Sequence, residues 1–77
     1  MSETNLLKGM GHNQRVIAQA DLGKRWWSAQ ELSAHLGLVA HQVTMSMRTL
    51  VRRDLFERRR DGEQNKAPYQ YRQKRRA

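Results

Sequence analysis

The sequence predicts a mainly α fold closed by a small β-hairpin, and three observations lead there. Apolar residues recur at helical spacing in three stretches: Val16, Ile17 and Ala20; Ala29, Leu32 and Leu36; and Val43, Met47, Leu50 and Val51. The first two stretches each end at a glycine, Gly23 and Gly37. Beyond Asp54 the pattern changes to two short extended runs on either side of Asp61-Gly62, as in a hairpin.

Taken in chain order, residues 1–11 are polar apart from Leu6, Leu7 and Met10, and with Gly9 and Gly11 against a continuous helix they are expected to form a flexible arm. The first helix starts at His12, with Asn13, Val16, Ile17 and Ala20 on one face, and stops before Gly23. Lys24 to Trp27 is an aromatic link, in which one tryptophan is expected in the core and the other as a lid over it. Ser28-Ala29-Gln30-Glu31 then matches a capping box, whose hydroxyl and carboxylate satisfy backbone amides at a helix start. The second helix runs from there to Gly37, the left-handed stop, with Leu38 closing the turn.

The third helix is expected over Ala40 to Arg53. Its Val43, Met47, Leu50 and Val51 face inward, and Thr44, Ser46, Arg48, Thr49 and Arg52 are on the polar side. Met45 and Met47 are two apart and cannot share a face, so Met47 is assigned to the core and Met45 to the surface. Asp54 takes the left-handed position after the helix. Leu55 and Phe56 open a strand ending in Arg58-Arg59-Arg60, Asp61-Gly62 turns, Glu63 to Lys66 form a polar tip, and Tyr69 to Arg72 return antiparallel. A two-stranded ribbon is barely stable alone, so Phe56 and at least one tyrosine should pack back onto the helices. Residues 73–77 read as a basic tail, leaving residues 12–72 as the single folded domain.

Charge is distributed unevenly. The 77 residues carry a net charge of +8, with 15 Lys and Arg against 7 Asp and Glu, and eleven of the fifteen cations follow Met47. Such a one-sided concentration, mostly of arginine, points to a polyanionic partner, since the planar guanidinium fork matches phosphate and guanine edges. Cysteine is absent, which rules out disulfides and thiolate metal sites and suits a cytoplasmic location. No apolar run approaches the length of a membrane span, so no membrane association is expected. His12, His35 and His41 lack metal-site spacing, and neither paired carboxylates, a nucleophile with its base, nor a phosphate-binding glycine loop is present. No metal, no cofactor and no enzymatic activity are expected.

The run Trp27-Ser28-Ala29-Gln30-Glu31-Leu32 through Leu36-Gly37-Leu38, followed by Val43, Met47, Leu50 and Leu55-Phe56, resembles the winged helix-turn-helix DNA-binding regulators of bacteria and their phages. The resemblance covers about Asn13 to Arg72 and implies three helices with an arginine-rich wing. Val39 stands where that family prefers Ser or Thr before the recognition helix, and Asp54 where it has Gly. The resemblance further implies that the third helix lies in the major groove, with His41, Gln42, Thr44, Met45 and Arg48 reading base edges. Ser28, Arg52, Arg58, Arg59, Arg60, Lys66 and Arg72 would hold the backbone or enter the minor groove.

On this reading the chain is a sequence-specific regulator that binds double-stranded DNA, with a homodimer possible and a nucleoid-associated location if bacterial. Two other classes of partner fit the same sequence. One is RNA or a ribosome, met by the basic wing, and the other is a protein with an acidic surface.

Overall fold

The computed structural model of the chain describes residues 7–60 and 68–77. Among them lie α1 (His12–Gln19), β1 (Trp27–Ser28), α2 (Ala29–Leu36), α3 (Ala40–Arg52), β2 (Phe56–Arg60) and β3 (Tyr69–Gln73). The strands form one antiparallel sheet in the order β1-β3-β2. The fold is therefore mixed α/β, three helices with a three-stranded sheet, where a mainly α chain with a two-stranded hairpin was expected. The extra strand comes from the aromatic link: Trp27 pairs with Tyr71 and Ser28 with Gln70. A two-residue strand is too short to display alternation, and what makes it a strand is a partner more than forty positions away.

Helix boundaries follow local chemistry. At the start of α1, Gln14 Oε1 accepts the Gly11 N–H at 3.2 Å. The helix ends at Gln19, short of Gly23, because Ala20 is already extended at ψ 146°. The α2 capping box is formed in full, with Ser28 Oγ accepting the Glu31 N–H at 3.0 Å and Glu31 Oε1 accepting the Ser28 N–H at 2.9 Å. Gly37, at φ 69°, ends α2, and the Leu38 N–H reaches back to the Ser33 carbonyl at 3.0 Å. Val39 has the extended geometry of a capping residue but supplies no side-chain hydrogen bond to α3. Asp54 adopts φ 65°, the left-handed turn that leads from α3 into β2.

The core is built from one face of each element. Ile17, Ala18, Leu32, Val43, Met47 and Leu50 are fully shielded from solvent, and Leu55 and Phe56 nearly so. Met47 is core and Met45 is surface, as their spacing requires. Trp27 and Tyr71 bring the sheet onto this core, and the buried Trp27 Nε1–H donates to the Leu22 carbonyl at 3.1 Å. Ser46, read as part of the polar side of α3, is buried, because it projects between Val43 and Leu50 on the inner face and is small enough to fit there.

Two further expectations change at the ends of the domain. The residues read as an arm are anchored at their far end, where Leu7 and Met10 join the core and the Met10 N–H donates to the Leu7 carbonyl at 3.1 Å. The tail is tied down as well: buried Gln73 donates from Nε2 to the Ala18 and Ala20 carbonyls at 3.3 and 3.0 Å, and the Ala77 N–H donates to the Ala18 carbonyl at 3.0 Å. These carbonyls belong to the C-terminal turn of α1 and lack helical partners, so the tail satisfies them. The expected turn at Asp61-Gly62, the tip through Lys66 and the arm before Leu7 lie outside the described residues.

Candidate nucleic-acid interface

Burial of Val43, Ser46, Met47 and Leu50 turns the opposite side of α3 to solvent, and successive turns of that side carry His41, Met45, Arg48 and Arg52, all exposed. This is one continuous stripe at i, i+4, i+7 and i+11. The two flanks of the stripe differ. Gln42 leans to the α1 side, where its Oε1 accepts from Asn13 Nδ2 at 2.8 Å, and two turns further along α3 Gln14 Nε2 donates to Thr49 Oγ1 at 3.4 Å. Thr44 leans to the sheet side and donates to the Ala40 carbonyl at 3.2 Å. Of the five residues assigned to base reading, His41, Met45 and Arg48 lie on the stripe, whereas Gln42 and Thr44 border it and are engaged with the protein.

Between Thr44, the start of α2 at Ser28 to Gln30 and the tyrosines of β3 lies a groove of about 380 Å³. Ser28 stands at its edge with its hydroxyl already committed to the helix cap, leaving the positive end of the α2 dipole as its electrostatic contribution. Tyr71 forms part of the wall. Burial pushes its phenol above the ordinary tyrosine range, while the charges of Arg58 from β2 and Arg48 from α3 act in the opposite sense. A cation of the sheet and a cation of the helix stripe therefore both lie near enough to Tyr71 to favour its ionised form.

The hairpin arginines divide by strand alternation. Arg58 and Arg60 share the face of Tyr69 and Tyr71, with Arg58 4.3 Å and Arg60 4.6 Å from the Tyr69 ring centroid and Arg60 donating to the Tyr69 hydroxyl at 3.0 Å. Arg59 and Arg72 lie on the other face, 4.2 and 4.6 Å from the centroid of Trp26. Arg59 also donates to Gln70 Oε1 at 3.0 Å, and Arg72 pairs with Glu57 at 2.9 Å. The register that sets Glu57 opposite Arg72 and Arg59 opposite Gln70 makes both contacts direct cross-strand pairs. Arg52 is exposed at the end of α3, and Lys66 lies outside the described residues.

Two features of this surface were not anticipated from the sequence. Asn13 and Gln14 buttress α3 from α1, a contact across 29 and 35 positions that no local pattern signals. With Trp27 in the core, Trp26 is the other member of the pair, and it is the ring that gathers Arg59 and Arg72. Among the described residues no cluster of His, Cys, Asp or Glu is suited to a metal ion, and no helix is long and apolar enough to cross a membrane. No protein family, curated protein or solved structure matches the chain.

Proposed function

We propose that the chain is a winged helix-turn-helix protein that binds double-stranded DNA and acts as a small transcriptional regulator in the cytoplasm or on the nucleoid. In this reading α2 and α3 form the helix-turn-helix, α3 enters the major groove, and the β2-β3 hairpin is the wing that follows the backbone or the minor groove. The observation that carries it is that Thr44 of α3, the start of α2 and Tyr69 and Tyr71 of β3 line one groove, with Arg58 and Arg60 stacked on Tyr69 beside it. A helix face about one groove wide, flanked by cations, matches a duplex with a base-bearing floor and phosphate walls.

The stacking geometry favours a duplex over a single strand. Unpaired bases are held by open aromatic faces, but Trp26 is already stacked by Arg59 and Arg72 and Tyr69 by Arg58 and Arg60. The test is fluorescence anisotropy with random duplex DNA, a duplex selected from a random pool and single-stranded RNA of equal length, at two salt concentrations. The expected outcome is preferred binding to the selected duplex, a salt slope of roughly −0.9 per contacted phosphate, and loss of selectivity in Arg48→Ala. Tighter binding to RNA than to any selected duplex overturns the reading.

A further inference from the structure

Met45 is at odds with its neighbours. The other members of the α3 stripe, His41, Arg48 and Arg52, all carry hydrogen-bonding heads, yet the methionine among them is 50% exposed. It borders an open cleft of about 320 Å³ between α3 and the start of α1. Gln42, which lines the same cleft, is hydrogen-bonded to Asn13. An unbranched thioether half exposed on a cationic surface keeps much of its apolar area in water, and that area is matched by an apolar group on what the surface meets.

A major groove offers one apolar group on its floor, the methyl at C5 of a pyrimidine. Methionine suits that contact, because its three rotatable bonds and polarizable sulfur adapt to a small convex group. It has no donor and only a weak acceptor, so it does not distinguish the O4 of thymine from the N4 amino group of cytosine. What it senses is the substituent at C5 alone. The three residues from Met45 to Arg48 rise about 4.5 Å along α3, between one and two base-pair steps of about 3.4 Å, so a guanine read by Arg48 is expected within a step or two of the methyl read by Met45.

We propose that Met45 reads the C5 methyl group in the major groove, so that DNA binding by this chain responds to thymine and to C5-methylated cytosine alike, next to a guanine held by Arg48. The proposal rests on the duplex-binding reading above and names the group that reading leaves unassigned.

The experiment uses the full chain and its selected duplex, resynthesised with uracil replacing each thymine in turn and, at the pair that responds, with cytosine or 5-methylcytosine paired to guanine. Loss of one buried methyl corresponds to about a four-fold weaker Kd. Thymine is expected to bind better than uracil, and 5-methylcytosine better than cytosine, each by about that factor. Met45→Ala should erase both preferences with an unchanged circular dichroism spectrum and salt slope, and Met45→Leu should retain them. Equal binding of thymine and uracil duplexes at every position overturns the methyl proposal and leaves the duplex reading standing, as does a preference that survives Met45→Ala. If selection enriches no duplex at all, the duplex reading falls and this proposal falls with it.

Discussion

The missing cap of α3 offers a perturbation that separates folding from binding. Val39 has capping geometry at φ −74° and ψ 130°, and it is 61% exposed, so its side chain gives little to the core. The amides of His41 and Gln42 begin the helix with no side-chain acceptor from that position. Val39→Thr keeps the branched shape and most of the apolar area while placing an oxygen where those amides point. An N-cap hydrogen bond is worth about 1 kcal/mol, which for a domain of this size is a rise in Tm of about 4–8 °C. Val39→Asp adds an attraction to the helix dipole of about 0.3–1 kcal/mol and should be at least as stable. On the proposed interface the two variants then part: Thr leaves duplex affinity intact, whereas Asp sets a negative charge at the end of α3 that enters the groove of a polyanion and weakens it. Thermal unfolding followed by circular dichroism, with anisotropy on the same samples, measures both. A Tm unchanged or lowered in both variants refutes the assignment of Val39 as an unfilled cap, and an Asp variant that binds duplex as well as wild type refutes the placement of the α3 start in the groove.

Trp27 should be the most sensitive single position of the sheet. Trp27→Phe leaves the Leu22 carbonyl without its donor, at a cost of about 1–3 kcal/mol, and Trp27→Ala adds a void for about 3–5 kcal/mol in all, a large share of the ~5–15 kcal/mol that holds a domain together. Urea midpoints that rank the two variants in the opposite order would refute this account. Acid should destabilise the fold through two carboxylates. The Ser28 backbone N–H and the Arg25 guanidinium hold Glu31 below its ordinary 4.5, and the Lys74 ammonium holds Asp54 below its ordinary 3.8. Both contribute stability above those ordinary values and lose it as pH falls through their lower folded values, so Tm should decline below about pH 4.5. Glu31→Gln, which keeps the capping acceptor but does not titrate, should flatten that decline, and a pH profile identical to wild type would argue against the capping box as a source of it.

What the sequence discloses and what it conceals follow from the range of the forces involved. Helix periodicity, the Ser28 box, the Gly37 stop, the left-handed Asp54 and the choice of Met47 over Met45 for the core are all decided within one or two turns of the chain, so a local reading reaches them. The strand at Trp27–Ser28, the anchoring of Leu7 and Met10, and the burial of Gln73 and Ala77 are decided by partners far away in the chain, and nothing in the local composition announces them. Ser46 escapes because a small polar residue on the inner face of a helix looks, in sequence, like its exposed neighbours. At the interface, the exposed stripe of α3 is legible from periodicity, while the withdrawal of Gln42 toward Asn13 depends on how α1 packs.

The same distinction applies to the arginines, which the sequence presents as one basic class. Arg59 and Arg72 commit their guanidinium faces to Trp26 and their edges to Gln70 and Glu57, holding the outer face of the sheet together. Exposed cation–π contacts are worth about 0.5–1 kcal/mol each, and Lys can reproduce neither the planar stacking on Trp26 nor the Nε–H bond to Gln70, so Arg59→Lys should lower stability although the charge is kept. Because the charge is kept, the salt slope of duplex binding should hardly move. Arg48 and Arg52 are exposed on α3 and support no strand pairing. Arg48→Ala and Arg52→Ala should leave Tm nearly unchanged, since surface substitutions of this kind stay within about 0.5 kcal/mol, and removing a cation that neutralises a phosphate should reduce the salt slope by about 0.9. Stability and salt slope, measured on both kinds of variant, form a crossed design: stability responds to the shape of the cation on the sheet, and binding responds to the presence of the cation on the helix. If Arg59→Ala reduces the salt slope while Arg48→Ala lowers the Tm, the division of labour drawn from the stacking geometry is reversed, and the outer face of the sheet, with Trp26 at its centre, becomes the surface that meets nucleic acid.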